Sequence, residues 1–292
     1  MGYRVFPGIG GGLGLLSEYS VCPVGAPRVL GIEFVGHCKQ LIGCSLILMG
    51  EIGGNDYNHA LESGKSIAEV ETYVPYVINA IISAVNELIE LGARTLVIPG
   101  NLPIGCSATY LTMFYGSNKM KYDNSTGCIT QLNKFAEYHN ELLKTELNQI
   151  REDHPEVSII YADYYNAAMQ IFRYPNTYGI MVYSMALSVI HILYIYIIIF
   201  YNYLGFTNGA LKACCGGGGP FNYNASISCG DPLSTTCAQP ETYLNWDGLH
   251  LTEAAYKFIF KSLFEGSYAT PQFKSLCPTL KLQLMGGLSS SI

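Results

Sequence analysis

Two residues near the end of the chain have the types and the spacing needed for proton transfer. Asp247 and His250 lie three residues apart, just ahead of a predicted helix. In a serine hydrolase, a histidine takes the proton of the nucleophile and returns it to the leaving group, while a carboxylate orients the ring and stabilises its charged form. His250 is therefore a candidate general base and Asp247 its orienting carboxylate. An Asp-x-x-His string alone is also typical of the polar start of a helix, so other residues must decide between the two interpretations.

A third candidate lies in the first half of the chain. Asn55 belongs to the turn Gly53-Gly54-Asn55-Asp56, which follows a short apolar run. A side-chain amide in that position can donate a hydrogen bond to an oxyanion that develops during ester or amide cleavage. The alternative is an ordinary asparagine in a turn.

The elements that must position these residues alternate between strands and helices. Short apolar runs at 45–49, 95–98 and 157–161 predict buried strands. A capping box at 66–69 begins a predicted helix that ends at Gly92, and further helices are predicted at about 130–153 and 252–265. Such alternation requires crossover connections and predicts an α/β fold with a mostly parallel sheet.

Composition excludes some classes of function. The 292 residues are 49% hydrophobic, which supplies one large α/β core or two small ones. The net charge is −6, only 13% of residues are charged, and no Lys/Arg cluster is present. The sequence therefore gives no basic surface for nucleic acid.

The cysteines and two polar triplets indicate an oxidising compartment. The ten cysteines form no paired C-x-x-C halves, so disulfides are favoured over zinc, and their pairing stays open. Asn124 and Asn224 each begin an N-x-Ser/Thr glycosylation triplet. The first residues contain no apolar stretch of signal-peptide length. We therefore expect either that the protein stays inside the cell or that its true start lies upstream.

One long segment does not fit a soluble α/β domain. Residues 174–211 contain no Asp, Glu, Lys or Arg, and the 25 residues from Ile180 to Leu204 are apolar and long enough to span a bilayer. Two interpretations are open. The segment is a membrane span, or it is a translated insertion that does not belong to the fold.

Several blocks resemble the plant branch of the GDSL esterase/lipase family, whose members are SGNH-type hydrolases. Residues 50–57 resemble its Gly-x-Asn-Asp block, and residues 246–250 resemble its terminal Asp-x-x-His block. Residues 97–106, 161–166 and 212–217 are similar to the plant members as well. The resemblance covers about 38–178 and 205–271.

The resemblance implies a fold and a reaction. The fold is a three-layer α/β/α arrangement around a flavodoxin-like parallel sheet, and the protein is secreted. The reaction is hydrolysis of carboxylic esters, of small acyl or phenolic type, without a metal or other cofactor. By position, His250 would be the general base, Asp247 its orienting carboxylate and Asn55 an oxyanion donor. Asp56 would support the loop.

The chain also departs from the family. No Gly-Asp-Ser string occurs, so the nucleophile is unknown, and the early serines Ser17, Ser20 and Ser45 follow no suitable strand and turn. We expect the first strand to be missing, residues 1–37 to be unrelated to the family, 38–271 to form the domain interrupted by the insertion 180–204, and 272–292 to be a tail. As written, the chain is predicted to be inactive.

Two other functions stay open on the sequence alone. A non-catalytic member could use 180–204 as a membrane anchor, or it could bind an ester or phenolic ligand without turnover in a groove between Asn55 and His250.

Overall fold

The computed structural model describes residues 39–177 and 205–273. In these ranges the chain divides into two compact units. The first contains residues 39–101, 137–164 and 263–273, and the second contains 102–136, 165–177 and 205–262. Three predicted segments lie outside the described residues: the N-terminal segment 1–37, the apolar segment 180–204, and the tail 272–292 from residue 274 onward. The domain boundaries therefore stay predictions.

The helices and strands are named here in chain order. They are β1 (Leu46–Leu48), α1 (Gly54–Glu62), α2 (Ile67–Glu71), α3 (Val74–Glu90), β2 (Thr95–Pro99), α4 (Ala108–Met113), α5 (Thr130–Asp153), β3 (Ser158–Ala162), α6 (Tyr164–Arg173), β4 (Cys215–Gly216), β5 (Thr235–Thr236), α7 (Glu253–Phe264) and β6 (Ala269–Thr270).

The first unit contains a four-stranded sheet in the order β1-β2-β3-β6. The first three strands are parallel, with Leu46 opposite Thr95 and Thr95 opposite Ser158. β2 and β3 are almost completely buried, as expected for strands covered on both faces. The three predicted strands are confirmed. The antiparallel strand β6 was not predicted, because two residues are too short to show a period.

The capping box is confirmed, but the helix that follows it is interrupted. The Ser66 side chain accepts from the Glu69 N–H, and the Glu69 carboxylate accepts from the Ser66 N–H. The predicted single helix is wrong, because α2 ends at Glu71 and α3 begins at Val74. Pro75 explains the break, since proline has no N–H to donate to the carbonyl oxygen four residues earlier and its ring clashes there.

The other predicted helices are confirmed, whereas α1, α4 and α6 were not predicted. α5 has the predicted bounds, and α7 lies within its predicted range. The Gly53–Asp56 turn is only partly correct, because Gly53 has a φ of 100° but Gly54 already begins α1. α4 and α6 were missed, since each is short and carries buried residues around most of its surface.

One helical stretch in the described part of the chain has the length and apolar content of a membrane span. This stretch is Ile67–Glu90, which includes α2 and α3. Its apolar residues repeat at helical period and are buried in the protein: Val70, Val74, Val77, Ile78, Ile81, Val85 and Ile89. Packing in the core accounts for this composition.

The second unit has short elements and is cross-linked by disulfides. The bonds are Cys106–Cys128, Cys214–Cys237 and Cys215–Cys229. β4 and β5 form a two-stranded antiparallel ladder of two residues each. The prediction of disulfides is confirmed, and the pairing that the sequence left open is defined for these six cysteines.

The first unit also buries a histidine. His139 on α5 is 1% exposed, and its Nδ1 lies 2.7 Å from the hydroxyl of Tyr57, with which it shares a hydrogen bond. Burial lowers the pKa of His139 from 6.5 to about 4, because the charged ring would lose its hydration. His139 is therefore neutral in the folded protein at neutral pH.

The neutral state of His139 makes the folded protein sensitive to acid. Between pH 6.5 and 4 the unfolded chain binds a proton at this position and the folded chain does not, so stability falls as the pH falls. We expect His139 to remove about 3 kcal/mol from the free energy of unfolding over that interval. Urea denaturation at several pH values measures it. His139→Gln should flatten the profile, whereas His154→Gln, which changes a surface side chain, should not. Equal slopes in the parent and His139→Gln would contradict the assignment.

Candidate active site

The turn that carries the candidate acid–base residues is held by its own aspartate. The Trp246 N–H donates to the carbonyl oxygen of His250 at 2.8 Å, which closes the loop. One carboxylate oxygen of Asp247, Oδ1, accepts from the N–H groups of Leu249 and His250 at 2.9 and 2.8 Å. Aspartate favours this local geometry because its short side chain reaches backbone donors two and three residues ahead.

The second carboxylate oxygen of Asp247 contacts the histidine ring. Asp247 Oδ2 lies 2.8 Å from His250 Nδ1. Burial raises the pKa of Asp247, but the hydrogen bonds from the His250 ring and from the backbone of His250 and Leu249 outweigh it, so the pKa lies below its ordinary value. An ionised carboxylate only accepts hydrogen bonds, so Nδ1 carries the proton. The structure therefore brings Asp247 and His250, two of the three predicted site residues, into contact. The contact selects the tautomer in which Nε2 is the basic nitrogen.

Gly248 lies inside this turn against two other elements. Its carbonyl oxygen accepts from the N–H of Thr109 at 3.1 Å. A Cβ at Gly248 would contact the Thr109 hydroxyl and the ring of Tyr223 at distances that no real side chain shows. The turn and α4 therefore approach so closely that only glycine fits at this position.

Helix α7 starts directly after the turn. Thr252 is 2% exposed, and its hydroxyl accepts from the Ala255 N–H at 3.2 Å and donates to the carbonyl oxygen of Tyr243 at 2.7 Å. The residue is thus the N-cap of α7, which fixes where the helix begins relative to His250.

Asn55 lies in the other unit. It is the second residue of α1 and its side chain is exposed, directly after the left-handed turn at Gly53. A Cβ at Gly53 would meet a methyl group of Val77 at 2.7 Å. The Gly53 position thus fixes where α1 begins and where Asn55 projects. Asp56 follows in the first helical turn, where a negative charge is favourable.

The remaining candidate residues can be placed in part. Ser45 precedes β1 and its hydroxyl donates to the carbonyl oxygen of Leu41 at 2.7 Å. Ser17 and Ser20 lie outside the described residues. In the ranges 39–177 and 205–273, no group of three or more His, Cys, Asp or Glu side chains is arranged to hold a metal ion.

Comparisons with known proteins agree with the site and the fold. Residues 45–263 match the family model described as GDSL-like Lipase/Acylhydrolase. The chain belongs to the GDSL lipase/acylhydrolase family. This match confirms the resemblance predicted from the sequence and, with it, the three-layer α/β/α fold. The parallel strands β1 to β3 and the helices that connect them are part of that fold.

Arabidopsis thaliana contains several similar proteins. The chain is 46% identical to GDSL esterase/lipase At1g28600 over 240 residues, which are 82% of this chain and 54% of that protein. It is 44% identical to GDSL esterase/lipase At1g28610 over 246 residues, 84% of this chain and 57% of that protein. The chain thus spans little more than half the length of the curated relatives it matches.

Some residues that shape the GDSL domain's turn were not found from the sequence. They are Thr109, Cys214, Cys215 and Tyr223, which contact the turn or the residues before it although they lie far from it along the chain. The string 212–217 was recognised only as a family block. A sequence motif identifies residue types and their spacing. It does not show which carbonyl oxygen accepts a hydrogen bond from a given backbone N–H.

The close packing at Gly248 can be tested by adding one methyl group. We expect Gly248→Ala to lower the free energy of unfolding by about 1–3 kcal/mol, because the new Cβ overlaps Thr109 and Tyr223. Gly54→Ala is the matched control, since nothing lies within 4 Å of a Cβ there and its φ is not positive. Chemical denaturation of both variants measures the difference. Equal stabilities would show that the turn does not approach α4 as described.

Proposed function

We propose that this chain is the acid–base part of a carboxylic ester hydrolase, with His250 as the general base and Asp247 as its orienting carboxylate. The observation that carries the proposal is the 2.8 Å contact between Asp247 Oδ2 and His250 Nδ1. Family membership supports it, because the residues that match the family's terminal block are the same two residues. The names of the Arabidopsis relatives also describe esterases and lipases.

The proposed reaction is acyl transfer through a serine hydroxyl. His250 Nε2 takes the hydroxyl proton as the oxygen attacks the ester carbonyl, and the Asp247 carboxylate stabilises the imidazolium that forms. The carbonyl oxygen becomes an oxyanion, to which the Asn55 amide donates a hydrogen bond. His250 then returns the proton to the departing alkoxide, and water repeats the sequence to release the acid. The role of Asn55 rests on the family motif.

The substrate class follows from the same resemblance. We propose a small acyl or phenolic ester and no metal or cofactor. A secreted location is part of the proposal, since the disulfides form in an oxidising compartment. Asn124 and Asn224 are exposed in turns, which suits glycan attachment. Mass spectrometry of chain secreted from a plant host would detect the glycans, and unmodified Asn124 and Asn224 would contradict this part.

The 292 residues contain no Gly-Asp-Ser string, so we propose that the chain as written does not turn over. Loss of a triad nucleophile costs orders of magnitude in rate, because only binding and oxyanion stabilisation are left. We expect no serine-directed labelling by an organophosphonate probe. Hydrolysis of a nitrophenyl acyl ester should be the same in the parent and in His250→Gln.

The relative At1g28600, assayed in parallel, controls for the probe and the ester. Stoichiometric labelling of a serine in the 292-residue chain would overturn the proposed inactivity, and peptide mapping would identify the nucleophile.

A further inference from the structure

The two residues just before Asp247 are held by two consecutive cysteines that lie elsewhere in the sequence. The N–H of Cys214 donates to the carbonyl oxygen of Asn245 at 2.9 Å, and the N–H of Cys215 donates to that of Trp246 at 2.7 Å. These two hydrogen bonds from consecutive cysteines therefore fix the direction in which the backbone enters the Asp247–His250 turn.

Cys214 directly precedes β4 and Cys215 begins it, and this strand is too short to be stable by itself. β4 and β5 have two residues each, and an isolated two-stranded ladder is only marginally stable in water even when it is longer. Both cysteines are instead cross-linked separately, Cys214 to Cys237 and Cys215 to Cys229. The Cys237 N–H also donates to the carbonyl oxygen of Cys214 at 2.8 Å. Two covalent links therefore fix the position of β4.

The Asp247–His250 pair depends on such outside support. The His250 side chain is 69% exposed and that of Asp247 is 29% exposed. A hydrogen bond between side chains this exposed is weakened by competition with water, so it does not by itself hold the ring in one orientation. The backbone around the pair is also held from outside the turn, by groups that include the N–H groups of Cys214, Cys215 and Thr109.

We propose that the Cys214–Cys237 and Cys215–Cys229 disulfides are positioning elements for the Asp247–His250 pair. They hold Cys214 and Cys215, whose N–H groups hold the carbonyl oxygens of Asn245 and Trp246 and thereby place Asp247 against His250. The inference rests on the proposed function for its catalytic meaning. Its consequence is that the pair is assembled in an oxidising compartment and is lost in a reducing one.

The test observes the hydrogen bond directly by NMR on the full 292-residue chain labelled with ¹⁵N-histidine. The proton on His250 Nδ1 is identified by its absence in His250→Gln, and its exchange rate with solvent is measured. We expect Cys214→Ala/Cys237→Ala and Cys215→Ala/Cys229→Ala each to raise this rate about tenfold or more, as when the free energy of opening falls by about 1.4 kcal/mol.

Cys106→Ala/Cys128→Ala is the matched control. It removes a link between residues 22 apart, against 23 for Cys214–Cys237, so the loss of chain constraint is similar. Its cysteine N–H groups donate to the Pro103 carbonyl oxygen and the Thr126 hydroxyl. The Cys106 carbonyl oxygen accepts from the Asn245 side chain at 3.4 Å, a main-chain acceptor that alanine retains. This variant should keep the parent exchange rate at His250. Amide exchange in β2 should stay slow in all three variants, which shows that the first unit is folded.

Each other outcome contradicts a defined part of the account. Unchanged exchange in both the Cys214/Cys237 and the Cys215/Cys229 variants overturns the proposal. An equal increase in the Cys106/Cys128 variant overturns it as well, because it would mean a general loss of stability. If the Cys214/Cys237 or the Cys215/Cys229 variant unfolds, the parent chain is instead partially reduced and reoxidised. Recovery of the His250 Nδ1 proton signal when only Cys106–Cys128 has reformed would overturn the proposal. A parent chain without the His250 Nδ1 proton contradicts the proposed function itself.

Discussion

The Asp247 carboxylate organises the turn that ends in His250, because its two oxygens have different tasks. Oδ1 accepts two backbone N–H groups and fixes the turn, and Oδ2 accepts the histidine ring proton. Loss of the negative charge would weaken all three hydrogen bonds together. The lowered pKa of Asp247 keeps the carboxylate ionised at neutral pH, so the same group that shapes the backbone also selects the histidine tautomer.

The two units are stabilised in different ways, and the difference matters for the site. The first unit buries parallel strands and an amphipathic helix, so hydrophobic burial dominates there. The part of the second unit around the turn has short strands, a 3₁₀ helix and three disulfides in the described residues. Cross-links compensate for the small amount of regular structure, since they lower the entropy of the unfolded chain.

The elements with long hydrophobic periods could be predicted from the sequence. The strands at 95–98 and 157–161 and the helix at 130–153 agree with the structure because burial of one face requires the pattern that the sequence shows. The interruption at Thr72 and Tyr73 was missed, although Pro75 is visible in the sequence, because the apolar period continues across it. α4 and α6 were missed because six and ten residues give too few helical turns to establish a period.

For the site, the sequence predicted residue types better than their supports. Asp247 and His250 lie only three residues apart in the chain, so local geometry brings them together and spacing alone was informative. The contacts from Cys214, Cys215 and Thr109 join distant segments through backbone groups, which every residue except proline has. No side-chain pattern encodes them, and the disulfide pairing could not be obtained from spacing.

The most direct test of the account restores a nucleophile and asks whether His250 serves it. A chimaera would carry the Gly-Asp-Ser segment of an Arabidopsis relative in place of residues 1–37, and its hydrolysis of a short acyl ester would be measured. We predict turnover that falls about 10²- to 10⁴-fold in His250→Gln, the usual contribution of a general base, and that is retained in His154→Gln. A folded chimaera that is inactive, or that is equally active in His250→Gln, would contradict the assignment of the Asp247–His250 pair as the acid–base part of an ester hydrolase.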